Sequence, residues 1–421
     1  MKALCYEAKP LGWLTCLWLK KLWPGCLLSS LGGLTLRELD PPALPGEDWV
    51  LVRTRLGGVC GTDLGILAQK QPPNSILQAY SSLPLMLGHE NVAVVESAGP
   101  AVDKSWLGRR VCVEPTLGCT ARGIEPACPR CQAGEFGACE NFSAAGAGRY
   151  KLPAGTSIGY NNRTGGSFGE FFVAHVSQLV QVPASVPDEL AVLTDPVACS
   201  LHSVRRADLS QARQVLVYGA GVLGLGVIAC LRATGYAGRI DALEVGKYLQ
   251  GRALRLGADA FLQPPREAMP RYEMIAARTG AKVHRVRLGN LMLSGGYDVI
   301  FECVGSLQSL NDSLKWAAGR GQVVLVGTGS GGRIDLTPLW FRELTVIGAY
   351  GRQMEHGPAG RIGTYQWVHR LMAEGKLPVG DLLTHRFPLA QYRQALTAAL
   401  HKSAHGAVKV AFDFREQRDA L

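Results

Sequence analysis

A strand-like apolar run that leads directly into a glycine-rich loop constrains the fold of this chain more than any other feature. The run 214–218, QVLVY, is followed at once by 219–224, GAGVLG, and then by an apolar helix-like segment at Leu225–Arg232. A GxGxxG loop between a strand and a helix is typical of dinucleotide-binding folds, because the helix N-terminus offers free N–H groups to a pyrophosphate. The sequence therefore predicts a parallel, doubly wound nucleotide-binding domain.

The strand-like run after this loop, Ile240–Glu244, ends in a carboxylate twenty positions after Gly224. A carboxylate there can accept hydrogen bonds from ribose hydroxyls and repels a 2′-phosphate, which favours NAD. Lys247 and Arg252 lie nearby, so NADP stays possible. The residues that we assign to cofactor binding are Gly219, Gly221, Val222, Leu223, Gly224, Glu244 and Lys247.

The apolar pattern divides the chain into three segments. Before residue 195 the pattern is mostly β, with strands predicted at Trp49–Thr54, Val92–Val95, Arg110–Val113, Glu170–Val173 and Leu179–Val182. Residues 195–350 alternate strands and helices, with further strands predicted at Tyr297–Glu302 and Gln322–Val326. In the tail from about 351, the pattern predicts a helix at Thr364–Gly375 and a strand at Leu382–Phe387. It then predicts a helix at Leu389–His401 and a last strand at Gly406–Phe412.

Two groups of residues have the composition of metal sites. The first comprises Cys60-Gly-Thr62-Asp63, Gly88-His89-Glu90 and Asp195-Pro-Val. A thiolate, an imidazole and a carboxylate together suit zinc, and the adjacency of His89 and Glu90 implies a turn or a helix start. The second comprises Cys128-x2-Cys131-x7-Cys139, with Cys119 upstream. Four thiolates would close a structural zinc site and leave no position for a substrate.

Charge and hydropathy restrict the partners. The net charge is +10, but Lys and Arg occur singly or in pairs, so no continuous footprint for nucleic acid is expected. The apolar stretch 10–32 is interrupted by Lys20, Lys21 and Pro24, so neither a signal peptide nor a membrane span is expected. We interpret it as an insertion that packs on the body or on a partner subunit, with peripheral membrane contact as the less favoured alternative.

Taken together, these motifs resemble the zinc-dependent medium-chain dehydrogenase family, close to its threonine, sorbitol and glucose dehydrogenase branches. The resemblance covers almost the whole chain apart from residues 10–32. It rests on VCGTD at 59–63, LGHEN at 87–91, CPRC through Cys139, DPVACSLHSV at 195–204, VLVYGAGVLGLG at 215–226, LRLGAD at 254–259 and FECVG at 301–305.

The resemblance implies an α/β protein with two domains and an active site in the cleft between them. A GroES-like, β-rich catalytic domain would begin at 1–194, with a zinc lobe at about 112–142. A Rossmann, doubly wound parallel-sheet NAD(P)-binding domain would span 195–350, and the segment 351–421 would return to the catalytic domain. Catalytic zinc would bind Cys60 and His89, with carboxylate ligands or near-ligands at Glu90 and Asp195. Under this hypothesis the Thr62 hydroxyl takes the substrate proton, and Asp63 orients His89 or the backbone around the metal.

Three departures from the family pattern matter. Asp195 stands where the polyol branches usually have Glu, and its shorter side chain leaves direct and water-mediated zinc binding both open. Gly65 stands where many alcohol dehydrogenases have a His proton relay, so the relay must end elsewhere. Glu125 stands where the first Cys of the lobe is expected, and Cys119 is the nearest substitute. We favour Cys119 as the fourth structural ligand, with Glu125 as the alternative.

The sequence thus predicts a zinc-dependent oxidoreductase that moves a hydride between a CH–OH group and NAD, with NADP possible. The substrate would be an alcohol, a polyol, a sugar or a hydroxy amino acid. We expect a cytoplasmic homodimer or homotetramer with both catalytic and structural zinc. The alternatives are a zinc-free enone or quinone reductase of the same superfamily, which would lack the ligands Cys60 and His89, and a non-enzymatic cofactor-binding protein.

Overall fold

The computed structural model describes residues 1–70, 75–327, 329 and 331–415. The chain forms two compact units. Unit 1 comprises Met1–Asp195, Arg352–Ala373 and Gly380–Leu421, and unit 2 comprises Pro196–Gly351 and Glu374–Val379. Within the described ranges, no helix has the length and apolar character needed to cross a bilayer.

The strands follow one another along the chain in this order: β1 Lys2–Tyr6, β2 Leu34–Glu38, β3 Trp49–Gly58, β4 Leu85–Met86, β5 Glu90–Ala98, β6 Arg110–Val113, β7 Phe171–His175, β8 Leu179–Gln181, β9 Gln214–Tyr218, β10 Arg239–Leu243, β11 Ala260–Leu262, β12 Lys282–Arg285, β13 Leu291–Ser294, β14 Tyr297–Glu302, β15 Ala317–Leu325, β16 Thr345–Gly348, β17 Met354–Gly357, β18 Gly360–Gly363, β19 Leu383–Pro388 and β20 Lys409–Asp413.

The α-helices are α1 Pro10–Leu19, α2 Gly61–Leu67, α3 Cys119–Arg122, α4 Pro129–Gln132, α5 Asp188–Ala191, α6 Thr194–Arg206, α7 Val222–Ala233, α8 Gln250–Arg255, α9 Ala268–Thr279, α10 Leu307–Trp316, α11 Thr337–Phe341, α12 Thr364–Ala373, α13 Tyr392–Leu400 and α14 Lys402–His405. Short 3₁₀ turns lie at Pro24–Leu28, Ser30–Gly32, Ile76–Tyr80, Lys104–Trp106, Phe136–Ala138, Val176–Gln178, Lys247–Leu249, Arg287–Gly289, Gly380–Leu382 and Leu389–Gln391.

Unit 1 is built on a mainly antiparallel sheet in the order β19-β20-β3-β5-β6-β8, with β7 also paired to β3. Alternate residues of β3 are buried from Val50 through Leu56, as expected for a strand with one face on the core. A smaller sheet, β2-β1-β4, packs its apolar side chains into the same unit. The C-terminal strands β19 and β20 complete the large sheet, so the tail of the chain is part of this unit.

Unit 2 is built on a parallel sheet whose order, among the described residues, is β11-β10-β9-β14-β15-β16. Its central strands β9 and β14 are apolar runs with buried side chains, as expected for strands covered on both faces. The strand order reverses between β9 and β14, and the loop after β9 emerges at this switch point, where open α/β sheets bind ligands. A β-rich unit and a doubly wound parallel unit confirm the predicted fold class.

Candidate functional site

The first metal-ligand group lies in unit 1 where two paired strands bring distant residues together. Cys60 follows β3 and is the N-cap of α2, while Glu90 begins β5. The two strands pair antiparallel with Gly58 opposite Glu90. As a result, ligand atoms of Cys60, His89 and Glu90 all lie within 4.8 Å of one another. The predicted turn before Glu90 is formed by Gly88 at φ +92°, where a Cβ atom would meet the ring of Phe168 at 2.4 Å.

Two features suit the group of Cys60, His89 and Glu90 to zinc: the chemistry of its donor atoms and the surroundings of His89 Nδ1. His89 Nδ1 is buried and has no hydrogen-bond partner in the described ranges, and Asp63 Oδ1 lies 3.7 Å from it. Burial lowers the pKa of His89, but the charges of Cys60 and Asp63 outweigh this effect and raise the pKa to about 10. These neighbours favour a positive charge at this position. Three candidate ligands, with Cys60 only partly buried, would leave a fourth position for a substrate, as catalytic zinc sites do, and their roles stay predictions.

Glu90 is held by a lysine from the far end of the chain. Lys409 Nζ in β20 donates to both Glu90 carboxylate oxygens, at 2.7 and 2.6 Å, and to the Val59 carbonyl at 3.1 Å. Burial lowers the pKa of Lys409, but the Glu90 charge outweighs it and the pKa is raised. The close fit also needs Gly58, where a Cβ atom would meet Glu90 Oε2 at 2.2 Å. Lys409 was not predicted from the sequence, although a lysine inside the apolar run AVKVAF is a signal of a buried charge.

Asp63 and Thr62 lie immediately around Cys60. Asp63 Oδ2 accepts a hydrogen bond from the Cys60 backbone N–H at 3.0 Å, and Tyr160 donates its hydroxyl to Asp63 Oδ1 at 3.1 Å. Asp63 therefore fixes the backbone of one ligand and faces the ring of His89. Thr62 Oγ1 lies 3.5 Å from Cys60 Sγ. The assigned roles of Thr62 and Asp63 stay predictions, and Tyr160 is an additional residue that its local sequence did not mark.

Asp195 has a different environment from the other predicted ligands. Its Oδ1 accepts hydrogen bonds from Arg352 Nε at 2.6 Å and from the Tyr365 hydroxyl at 2.5 Å. Burial raises the pKa of Asp195, but the Arg352 charge outweighs it and holds the pKa below its ordinary value. In the part of the chain that the structure describes, Asp195 is not among the residues clustered as metal ligands with Cys60. Its role as a zinc ligand stays a prediction, and its observed partner is a buried arginine.

The second metal-ligand group unites four cysteines. The Sγ atoms of Cys119 and Cys139 are 3.6 Å apart, and those of Cys128 and Cys139 are 3.9 Å apart. A tetrahedral site with Zn–S bonds of about 2.3 Å has edges of about 3.8 Å, which agrees with both distances. Cys131 completes the group, with all four sulfurs within 4.8 Å of one another. Glu125 is exposed and lies outside this group of residues, as far as the structure describes the chain.

Backbone turns and one buried arginine stabilise the lobe that contains the four cysteines. Cys119 begins α3, which ends at Gly123 in the left-handed region at φ +62°. Arg122 in the same helix is fully buried, and its guanidinium donates to the backbone carbonyls of Leu117, Phe142, Pro153 and Gly155. Amide groups also donate to the sulfurs, with Asn141 Nδ2 3.2 Å from Cys119 Sγ. Such donors favour the thiolate form that zinc requires.

The nucleotide loop in unit 2 has the shape that the three glycines predict. Gly219 turns the chain at φ +96°. Gly224 lies in the first turn of α7, where a Cβ atom would meet the Gly219 carbonyl oxygen at 1.8 Å, so the close approach of helix and strand requires glycine. Gly221 is the N-cap of α7, and a Cβ atom there would meet nothing within 4 Å. The open side of the loop, with Val222 and Leu223 as the first helical residues, can therefore receive a phosphate.

Glu244 lies beside this loop. Its Oε2 accepts a hydrogen bond from Ala220 N at 3.0 Å, and its Oε1 accepts one from Gly246 N at 2.9 Å. These bonds hold the carboxylate at the end of β10 next to the GxGxxG turn. Lys247 is exposed in the following 3₁₀ turn. The structure thus brings together the residues that we assigned to cofactor binding, and their contacts with a cofactor stay predictions.

Two family models match the chain. The model described as alcohol dehydrogenase GroES-like domain matches residues 46–184, and the model described as zinc-binding dehydrogenase matches residues 222–374. Among relatives, an L-idonate 5-dehydrogenase from Vitis vinifera is 27% identical over 386 residues, covering 90% of this chain and 93% of the relative. An L-threonine 3-dehydrogenase from Deinococcus deserti is 28% identical over 377 residues, covering 88% and 94%.

Solved structures show the same similarity. A zinc-binding dehydrogenase from Sinorhizobium meliloti, bound to NADP, superposes with a TM-score of 0.69 at 26% identity. The match covers 92% of this chain and 97% of that one. The similarity therefore extends through both units.

Proposed function

This chain belongs to the zinc-dependent medium-chain dehydrogenase family, and on that premise we propose that it oxidises a secondary CH–OH group of a polyol, sugar acid or hydroxy amino acid with NAD. The observation that carries the proposal is the group formed by Cys60, His89 and Glu90, whose ligand atoms lie within 4.8 Å of one another. The relatives named for L-idonate and L-threonine support a hydroxylated substrate.

The chain's own residues have distinct tasks in this reaction. Zinc held by Cys60, His89 and Glu90 would supply Lewis-acid chemistry, which makes an alcohol proton easier to remove. The Thr62 hydroxyl, whose Oγ1 lies 3.5 Å from Cys60 Sγ, would accept the substrate proton through a lone pair while it passes its own hydrogen on toward solvent. Asp63 and Lys409 keep the ligands in place through the Cys60 backbone and the Glu90 carboxylate. The loop at Gly219–Gly224 would bind NAD, the hydride acceptor.

The proposal extends to location and assembly. All twelve cysteines, each within the described ranges, are free thiols, which suits a reducing cytoplasm. Among the described residues β16 is the last strand of the unit 2 sheet, and Trp340 and Phe341, shortly before it in the chain, are exposed. Covering such an edge with a second copy would remove unpaired backbone groups from solvent. We therefore propose a cytoplasmic homodimer or homotetramer.

The direct test is a substrate panel. We expect NADH to form with at least one of sorbitol, L-idonate, L-threonine and a simple secondary alcohol, measured by absorbance with the zinc-containing protein. The rates for an enone and a quinone with NADH or NADPH should be negligible. Reduction of the enone or the quinone without oxidation of any alcohol would overturn the proposal in favour of a zinc-free type of reductase.

Cofactor preference is predicted from Glu244. The Glu244 carboxylate would repel the 2′-phosphate of NADP. A repulsion of about 1.4 kcal/mol is enough to lower kcat/KM for NADP tenfold relative to NAD. We therefore expect kcat/KM to favour NAD over NADP by at least about tenfold, and Glu244→Gln to reduce this ratio. Glu273→Gln, at an exposed glutamate of the same unit, is the control and should leave the ratio unchanged. A wild-type preference for NADP would show that Lys247 or Arg252 outweighs the carboxylate.

A further inference from the structure

The insertion, residues 10–32, begins and ends beside one strand pair of unit 1. Strands β1 and β2 pair antiparallel, and Tyr6 lies opposite Leu34 at the end of the ladder. The chain between these two residues forms α1 and two 3₁₀ turns. One side of this segment is anchored, because Leu28 packs in the core of unit 1 and Gln69 Nε2 donates to the Trp13 carbonyl at 2.8 Å.

The other side of the insertion is apolar and exposed. Leu11, Leu14 and Trp18 recur at the spacing of one helix face along α1, and Leu22 continues the row in the following turn. Their exposed fractions are 82%, 49%, 82% and 87%. We call these four residues the apolar outer face. An exposed helix normally turns polar residues to water, so an apolar face of this kind marks a surface that another apolar phase covers.

The charges around the apolar outer face have one sign. From Ala8 to Leu36 the sequence contains Lys9, Lys20 and Lys21 and no acidic residue. The nearest carboxylate before this stretch, Glu7, is in an ion pair with Arg37 at 2.9 Å. The insertion therefore presents Trp and Leu side chains bordered by lysines that have no ion-pair partner among the described residues. The helix α1 is apolar on all sides, and Trp, Leu and Lys are side chains with which interfacial segments contact an anionic membrane.

A second copy of the chain is a poorer match for the apolar outer face. Self-contact through the insertion would bring lysines together without supplying a carboxylate, and like charges across an interface are unfavourable. A lipid surface with anionic headgroups would neutralise Lys20 and Lys21 while it accepts Trp18 and Leu22. The ten-residue helix α1 is about 15 Å long. It is too short for a hydrocarbon core of about 30 Å, so it would lie along the surface.

We propose that the insertion docks this protein on an anionic lipid surface, with the apolar outer face in the headgroup boundary and Lys20 and Lys21 against the headgroups. The cytoplasmic leaflet carries anionic lipids and attracts such lysines over a short distance. The docking would place the enzyme at a membrane without a spanning helix. It is independent of the substrate and cofactor proposed above.

The test is sedimentation of the zinc-containing protein, residues 1–421, with vesicles. We expect binding to phosphatidylcholine vesicles that contain phosphatidylserine, and weaker binding at high salt. The double substitution Trp18→Ser/Leu22→Ser should lower the partition coefficient at least about tenfold. Lys20→Gln/Lys21→Gln should lower it roughly tenfold on anionic vesicles and hardly change it on neutral ones. Circular dichroism spectra, measured in parallel, should be unchanged in both variants and show that they are folded.

A control comes from unit 2, where Val286 and Leu288 are also apolar and exposed. Val286→Ser/Leu288→Ser should bind anionic vesicles like the wild type. The proposal is overturned if the wild-type protein does not bind anionic vesicles, or if Trp18→Ser/Leu22→Ser binds as well as the wild type. A fall in oligomer mass for Trp18→Ser/Leu22→Ser, in a wild type that ignores vesicles, would assign the face to a second copy.

Discussion

Replacing Cys60 with serine should remove turnover while the protein stays folded. A serine hydroxyl is not deprotonated near neutral pH and is a harder ligand than a thiolate, so the group with His89 and Glu90 would lose its strongest zinc donor. Lewis-acid stabilisation of several kcal/mol would be lost, which corresponds to a fall in kcat on the order of 10³-fold or more. Steady-state NADH formation and zinc content, measured on the same sample, check this result.

Cys5→Ser is the matched control for Cys60→Ser. Cys5 is a free thiol of the same unit, in β1, and lies outside both metal-ligand groups. This variant should keep its zinc and its activity. Near-native rates and metal content in Cys60→Ser would exclude the assigned zinc site, whereas a loss of circular dichroism signal in both variants would indicate a folding defect.

Removal of the Cys119 thiol should abolish binding of the structural zinc. Its Sγ lies 3.6 Å from that of Cys139, within the four-sulfur group, and a three-thiolate site would be open to water. We expect Cys119→Ala to lose about one zinc per chain and to lower the free energy of unfolding by at least about 2 kcal/mol. KM and kcat should change little until the lobe unfolds. Metal counting and thermal denaturation measure both effects.

Glu125→Ala is the companion variant, because Glu125 is the alternative ligand from the sequence and is exposed in the structure. It should keep two zinc ions per chain and the wild-type melting temperature. The reverse pattern would assign the fourth position to Glu125. Full zinc content in both variants would contradict a four-ligand structural site.

The fold was most predictable where strands are buried on both faces. The runs Arg110–Val113, Gln214–Tyr218 and Tyr297–Glu302 have the predicted bounds, because a continuous apolar stretch ends where burial ends. The pairing of β1 with β2 was not predicted, since the insertion separates them and neither forms a long apolar run. The hairpin of β12 and β13 was also missed, because β12, KVHR, is mostly exposed and carries little hydrophobic pattern.

The sequence predicted those residues of the two candidate metal sites that belong to short motifs. Cys60, His89 and Glu90 and the four cysteines were found because their spacing reflects ligand chemistry. Their supporting residues were not, because Lys409 lies 319 positions from Glu90 and Arg352 lies 157 positions from Asp195. Contacts over such separations depend on the tertiary fold. The buried ion pair of Asp195 therefore could not be foreseen from the Asp-Pro motif alone.

We expect zinc at Cys60, His89 and Glu90 to be required for hydride transfer to NAD. The most direct measurement follows zinc content and the rate of alcohol oxidation on the same samples, during removal of the metal by a chelator and its return. In the Cys119→Ala protein, which should retain only the zinc at Cys60, we expect the rate to fall in proportion to the zinc lost per chain and to recover when zinc is restored. NAD binding, followed by fluorescence, should persist throughout. An oxidation rate that stays constant after that zinc has gone would contradict the account.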